Sequence, residues 1–160
     1  MKTSSAPWLV ALACLPALAF TPGCLTVSDD QGPTLSVEIF WDDEPDSEAF
    51  QGEDCYGARV DRMEWALWQG SNEPCRSDDL AEGLCRRADP EADGVESFWL
   101  WVDDEDNCRN AIDVIDAPPG TYELDLTGID EDNVPQWQAT CSGLTVLRFD
   151  VAYECDVPAP

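Results

Sequence analysis

The fold turns on Pro118-Pro119-Gly120-Thr121-Tyr122-Glu123-Leu124-Asp125-Leu126-Thr127-Gly128. Tyr122, Leu124 and Leu126 alternate with Glu123 and Asp125, so an extended chain turns the apolar side chains one way and the carboxylates the other. Period two, entered through a Pro-Gly turn, is the pattern of a half-buried strand.

The pattern recurs to either side. Leu35, Val37 and Ile39 oppose Ser36 and Glu38. In Val60 to Gln69, Met63, Trp65 and Leu67 share one face while Glu64, Ala66 and Trp68 share the other, which predicts a strand with a helix as the alternative. Val95 to Val102, VESFWLWV, ends apolar on both faces and suits a central strand covered on two sides. Ala111 to Ile115, Gln136 to Cys141 and Leu144 to Cys155 follow, the last two joined by a tight hairpin at Ser142-Gly143. From Gly70 to Gly94 the chain is rich in Ser, Asn, Asp and Pro, which predicts loop held by disulfides, with one short helix within Asp78 to Arg87.

At PPGTYELDLTG the chain resembles the Pro-Gly-Thr-Tyr strand entry of prealbumin-like and other immunoglobulin-like β-sandwich modules of secreted proteins. With the alternating segments, the expectation is an all-β fold. It is a single antiparallel β-sandwich of about seven strands, immunoglobulin-like or prealbumin-like, with a disulfide-braced loop region.

The N-terminus has its own grammar. After Lys2, Trp8 to Phe20 reads WLVALACLPALAF, an apolar run of export-signal length, short of the roughly 20 residues that span a bilayer. Ala17-Leu18-Ala19 is a small-residue site for general signal peptidase, while Thr21-Pro22-Gly23-Cys24 resembles the lipobox of bacterial lipoproteins. Cysteine parity separates the two. Of eight cysteines in the chain, Cys14 falls in the leader, which leaves an odd number in an oxidising compartment. Lipid on Cys24 leaves Cys55, Cys75, Cys85, Cys108, Cys141 and Cys155, which pair without remainder. Six cysteines allow about 15 connectivities; the pairs expected here are Cys141 with Cys155 and Cys75 with Cys85.

The expected organisation is therefore a signal peptide over residues 1–23, a lipid anchor and flexible tether over 24–33, and a β-sandwich over 34–160. The lipoprotein resemblance implies a diacylglyceryl thioether on Cys24 and a third, amide-linked acyl chain such as palmitate, enough for stable attachment. Leu25 rather than Asp after the anchor implies the outer membrane. A freely secreted protein with an unpaired Cys24 is the alternative.

Charge and absences bound the function. The chain carries 34 acidic residues against eight basic ones, a net charge of −26, and no His. Its one Lys lies in the leader. Such a surface repels nucleic acid and anionic headgroups. Without His, Ser-His-Asp and Cys-His catalysis and His-ligated zinc are excluded; without Lys in the mature chain, P-loops and Schiff bases are excluded too.

Carboxylates and tryptophans remain. Three acidic clusters each follow an apolar strand: Asp42-Asp43-Glu44-Pro45-Asp46, Asp103-Asp104-Glu105-Asp106-Asn107 and Asp130-Glu131-Asp132-Asn133. Asp103, Asp104, Asp106, Asp130 and Asp132 are candidate Ca²⁺ ligands, because hard cations take carboxylate oxygens from converging loops. A pair of such carboxylates is also the minimum for a glycoside hydrolase. Trp68 shares its strand face with Glu64, which makes it the candidate binding residue for an envelope protein or a glycan, whereas Trp65 is expected in the core. The leading expectation is a non-catalytic, lipid-anchored envelope protein with a binding or structural role. A calcium-stabilised extracellular module and a carboxylate-dependent hydrolase are the alternatives.

Overall fold

In the computed structural model, residues 32–42, 44–91 and 95–160 are described, with only the backbone of residues 44–47 and 104–106. The signal peptide, Cys24 and the tether as far as residue 31 lie outside the described residues. The alternating segments become strands: β1 (Leu35–Trp41), β2 (Glu44–Glu48), β3 (Arg62–Ser71), β4 (Cys85–Arg87), β5 (Ser97–Asp106), β6 (Ala111–Val114), β7 (Gly120–Ile129), β8 (Pro135–Val146) and β9 (Val151–Val157). Two short helices interrupt them, α1 (Glu53–Gly57) and α2 (Ser77–Ala81).

The strands form two sheets. One has the order β4-β5-β3-β7-β8, antiparallel throughout. In the other, β1 carries β9 along one edge, while β6 and then β2 share its opposite edge. The all-β sandwich is as expected, but the described residues form nine strands rather than about seven. The arrangement is also not wholly antiparallel. β1 and β9 run parallel from Leu35 beside Val151 to Trp41 beside Val157. No hairpin joins them, since β9 reaches β1 by crossing over from β8 in the other sheet, and a crossing strand is free to lie parallel.

Three further expectations change. Ser142-Gly143 is no hairpin: β8 continues through it, with Glu123 opposite Ser142 and Tyr122 opposite Leu144, so Gly143 is the extra residue of a β-bulge. Its φ of +79° suits glycine, and the bulge keeps both Cys141 and Leu144 facing inward across an odd spacing. The reversal falls instead at residues 147–150, inside the segment expected to be one strand. β5 is not covered on two sides either. It lies next to the edge strand β4, and a register shift opposite Leu67 and Trp68 leaves Trp101 unpaired and 44% exposed.

Apolar faces of both sheets meet in one core. Leu35, Val37, Ile39 and Trp41 of β1 are buried with Met63, Trp65 and Leu67 of β3 and with Tyr122, Leu124 and Leu126 of β7. At one end Trp41, Phe50 and Trp137 form an aromatic trio, with Phe50 centred 4.7 Å from each tryptophan in tilted and edge-on contacts. Trp137 Nε1 donates to the Pro158 carbonyl at 2.9 Å, which satisfies the polar end of a buried ring.

The disulfides clamp this core. Cys141 on β8 bonds Cys155 on β9, joining the two sheets; Cys75 bonds Cys85 at the start of β4; Cys55 in α1 bonds Cys108 in the β5–β6 connection. Three bonded pairs indicate an oxidising, exported environment.

Tyr122 opens β7 and is buried. Its hydroxyl donates to the Pro118 carbonyl at 2.6 Å, which pins the Pro-Pro-Gly turn to the strand it feeds. Burial pushes the phenol up from 10.0 to about 12. A phenol whose folded pKa is raised stabilises the fold fully below pH 10, and that contribution is lost as pH rises through about 12. An alkaline titration followed by tyrosinate absorbance should therefore show one late step, coincident with loss of structure. Tyr122→Phe should abolish that step and lower stability at neutral pH by about 1–2 kcal/mol, the range for losing a hydrogen bond to a shielded carbonyl.

Candidate functional site

The strand registers sort the loops into two poles. β3 begins at Arg62, which pairs with Ile129 at the end of β7, and the next residue, Met63, pairs with Asp106 at the end of β5. β1 ends at Trp41 beside Val157. Asp130 to Asn133 follow β7 at this pole, near α1. The other two clusters do not simply follow strands as expected: Asp103 to Asp106 are the last residues of β5 itself, paired with Ala66 to Met63 of β3, and Glu44 to Asp46 open β2. A cleft of about 440 Å³ opens beside Asp130, lined by Tyr56, Arg59, Asp61, Asp130, Glu131 and Asp132 among others. The sequence missed Asp61, which lies 69 positions from Asp130 and joins it only through the fold.

Hydrogen bonding at this pole engages Asp130, one of the five carboxylates expected as Ca²⁺ ligands. Asp130 Oδ1 accepts from the backbone N–H of Asp132 and Val134 at 2.9 and 2.8 Å, and Oδ2 accepts from Gln136 Nε2. The group caps its own turn, which Asn133 completes with φ of +63° and an Oδ1 that accepts from Arg62 Nη1 at 2.8 Å. Asp132 and Asp103 are exposed, and the side chains of Asp104 and Asp106 lie outside the described residues. Among the described residues no group of three or more His, Cys, Asp or Glu converges as a metal site.

Trp68 sits elsewhere, on the outer face of the larger sheet. That face is where alternation put it, yet the ring is half-buried. The Arg86 guanidinium on β4 lies 4.8 Å from the Trp68 ring and 5.4 Å from Phe98. Arg86 is held from its other side by ion pairs to Glu123 and Asp125 on β7, and Thr140 Oγ1 donates to Asp125 at 2.8 Å. Beneath this latch Trp68 Nε1 is buried with no hydrogen-bond partner. Beside it, Arg86 and Asp125 with Thr127, Gln138 and Thr140 line a cleft of about 260 Å³. Trp101 is the exposed tryptophan of this sheet, while Trp41, Trp65 and Trp137 are core.

Chemically, this face offers aromatic surface, a fixed cation, carboxylates and a hydroxyl, the components of a polar-rimmed recognition patch. No protein-family model matches the chain, and none of the curated proteins matches it.

Proposed function

We propose that this is an exported, lipid-anchored, non-catalytic protein of the bacterial envelope, attached through Cys24 to the outer membrane, whose sandwich binds an envelope protein or glycan. The observation that carries the binding reading is the Trp68–Arg86 arrangement. A half-buried indole lies against a guanidinium that two carboxylates of another strand hold in place, which gives the outer face of this sheet a fixed aromatic and charged surface. Parity of the cysteines supports the anchor, since the six beyond Cys24 form three bonds among themselves.

The sandwich itself is taken as prealbumin-like. In the immunoglobulin order the second and third strands lie in opposite sheets. With the short β2 and β4 set aside as additions at sheet edges, the second and third strands here are β3 and β5, which pair directly in one sheet and so support the prealbumin-like reading.

Binding is tested with cross-linked envelopes and isolated envelope glycan from the native host. Trp68→Ala should weaken capture at least tenfold, the size of a hot-spot loss, while the domain stays folded. Unchanged capture, or collapse of the domain on that substitution, would make Trp68 a packing residue and remove the site.

A further inference from the structure

The pole opposite the acidic clusters is where the chain enters the sandwich. Leu35 pairs with Val114 on one side and Val151 on the other, so the end of β6 and the start of β9 flank the beginning of β1. Gly120 pairs with Val146, which brings the β6–β7 and β8–β9 turns together at the same place. Three large apolar side chains project from these turns: Ile115 is 61% exposed, Leu147 48% and Phe149 61%. Arg148 stands between the last two. The acidic residues of both turns are engaged by the entering chain, with Asp116 accepting from the Gly32 N–H and Asp150 from the Thr34 N–H.

We propose that these two turns, residues 115–119 and 147–150, form a bilayer-contacting surface that seats the domain on the membrane carrying its anchor. The proposal rests on the reading that Cys24 is lipidated. Eight residue steps separate Cys24 from Gly32, at most about 29 Å of fully extended chain. The ten-residue β3 alone spans roughly 33 Å, so the tether is no longer than the sandwich and keeps this pole nearest the lipid. Ile115, Leu147 and Phe149 then enter the headgroup–acyl boundary, as apolar side chains do at an interface, and Arg148 meets lipid phosphate. The acidic stretches of the far pole point away. Exposed Glu73, Asp89, Glu91 and Glu96, in the connections that leave β3 and β4 and enter β5, lie at the near pole, so apolar insertion rather than charge has to hold this surface at the bilayer. The anchor holds the protein at the bilayer, and the turns set which way the Trp68 face and the acidic pole are presented.

The test uses the full lipidated protein, weighed intact and reconstituted into phosphatidylethanolamine–phosphatidylglycerol vesicles with or without bromine on the acyl chains. Two reporters are compared, Phe149→Trp at the tether pole and Val134→Trp, also at an exposed position, at the acidic pole. With lipid found on Cys24, the emission contributed by the new tryptophan should fall at least twofold in brominated vesicles for Phe149→Trp and remain unchanged for Val134→Trp. Adding Ile115→Ser and Leu147→Ser to Phe149→Trp should reduce that quenching. Lipid on Cys24 with no quenching of Phe149→Trp, or with equal quenching of both reporters, overturns the contact surface and leaves the anchor standing. Absence of lipid on Cys24 overturns the anchor and the surface with it.

Discussion

Phe50→Ala is expected to destabilise the domain by about 3–5 kcal/mol, the range for removing a buried aromatic ring. Phe50 is 1% exposed and sits between Trp41 and Trp137, so its loss opens a cavity between two large rigid rings on opposite sheets. Neither indole can collapse into that space freely, because Trp137 is tied to the Pro158 carbonyl. Phe50 also adopts φ of +59°, and alanine would keep that unfavourable backbone while losing the packing that holds it. Chemical denaturation should show the loss as a lower midpoint with little change in slope. Phe149→Ala provides the contrast: the same deletion at an exposed ring should change stability by no more than about 0.5 kcal/mol. A small effect at Phe50 would mean that the trio is not part of the cooperative core.

The second large effect belongs to the Cys55–Cys108 bond. Stabilisation by a crosslink grows with the loop it closes, and this bond spans 53 positions against 14 for Cys141–Cys155 and 10 for Cys75–Cys85. Loop-closure entropy assigns it about 4 kcal/mol and each of the others about 3 kcal/mol. Replacing both partners of each pair with alanine and measuring unfolding should place the Cys55/Cys108 variant lowest. The physical setting agrees, since α1 has only five residues and its Cys55 is the residue it buries. A helix that short does not hold itself, and the bond ties it to the β5–β6 connection. If the Cys141/Cys155 variant proves weakest, native-state clamping between the sheets outweighs chain entropy.

The strands that could be read in advance are those with two-residue alternation. Tyr122, Leu124 and Leu126 point into the core as their spacing required, and so do Leu35, Val37, Ile39, Met63, Trp65 and Leu67. The strands that were missed, EPDSE in β2 and CRR in β4, carry no such pattern. They are strands because β1 and β5 offer them unpaired backbone edges, which is a property of the neighbour. At Ser142-Gly143 the local chemistry is ambiguous, because glycine with positive φ serves a hairpin and a bulge equally well. The answer lay in register with β7.

The candidate site divides the same way. Alternation assigned Trp68 to the outer face, but nothing in its neighbourhood announced Arg86, 18 positions away, or the Glu123 and Asp125 that hold that guanidinium from another strand. Trp101 reads like Trp99 in sequence and is exposed only because of a register shift. Ile115, Leu147 and Phe149 read as strand residues and proved to be the tips of turns.

By itself the sequence determined the all-β class, the inward faces of the longer strands and the expectation of paired cysteines, because two-residue periodicity and residue counts are local or compositional facts. Tertiary structure alone decided which strands are neighbours, that the first and last run parallel, and that Asp103 to Asp106 belong to a paired strand rather than to a loop. Those facts depend on backbone pairing between residues far apart in the chain. A hydrogen-bonded register leaves no mark in either partner's own sequence.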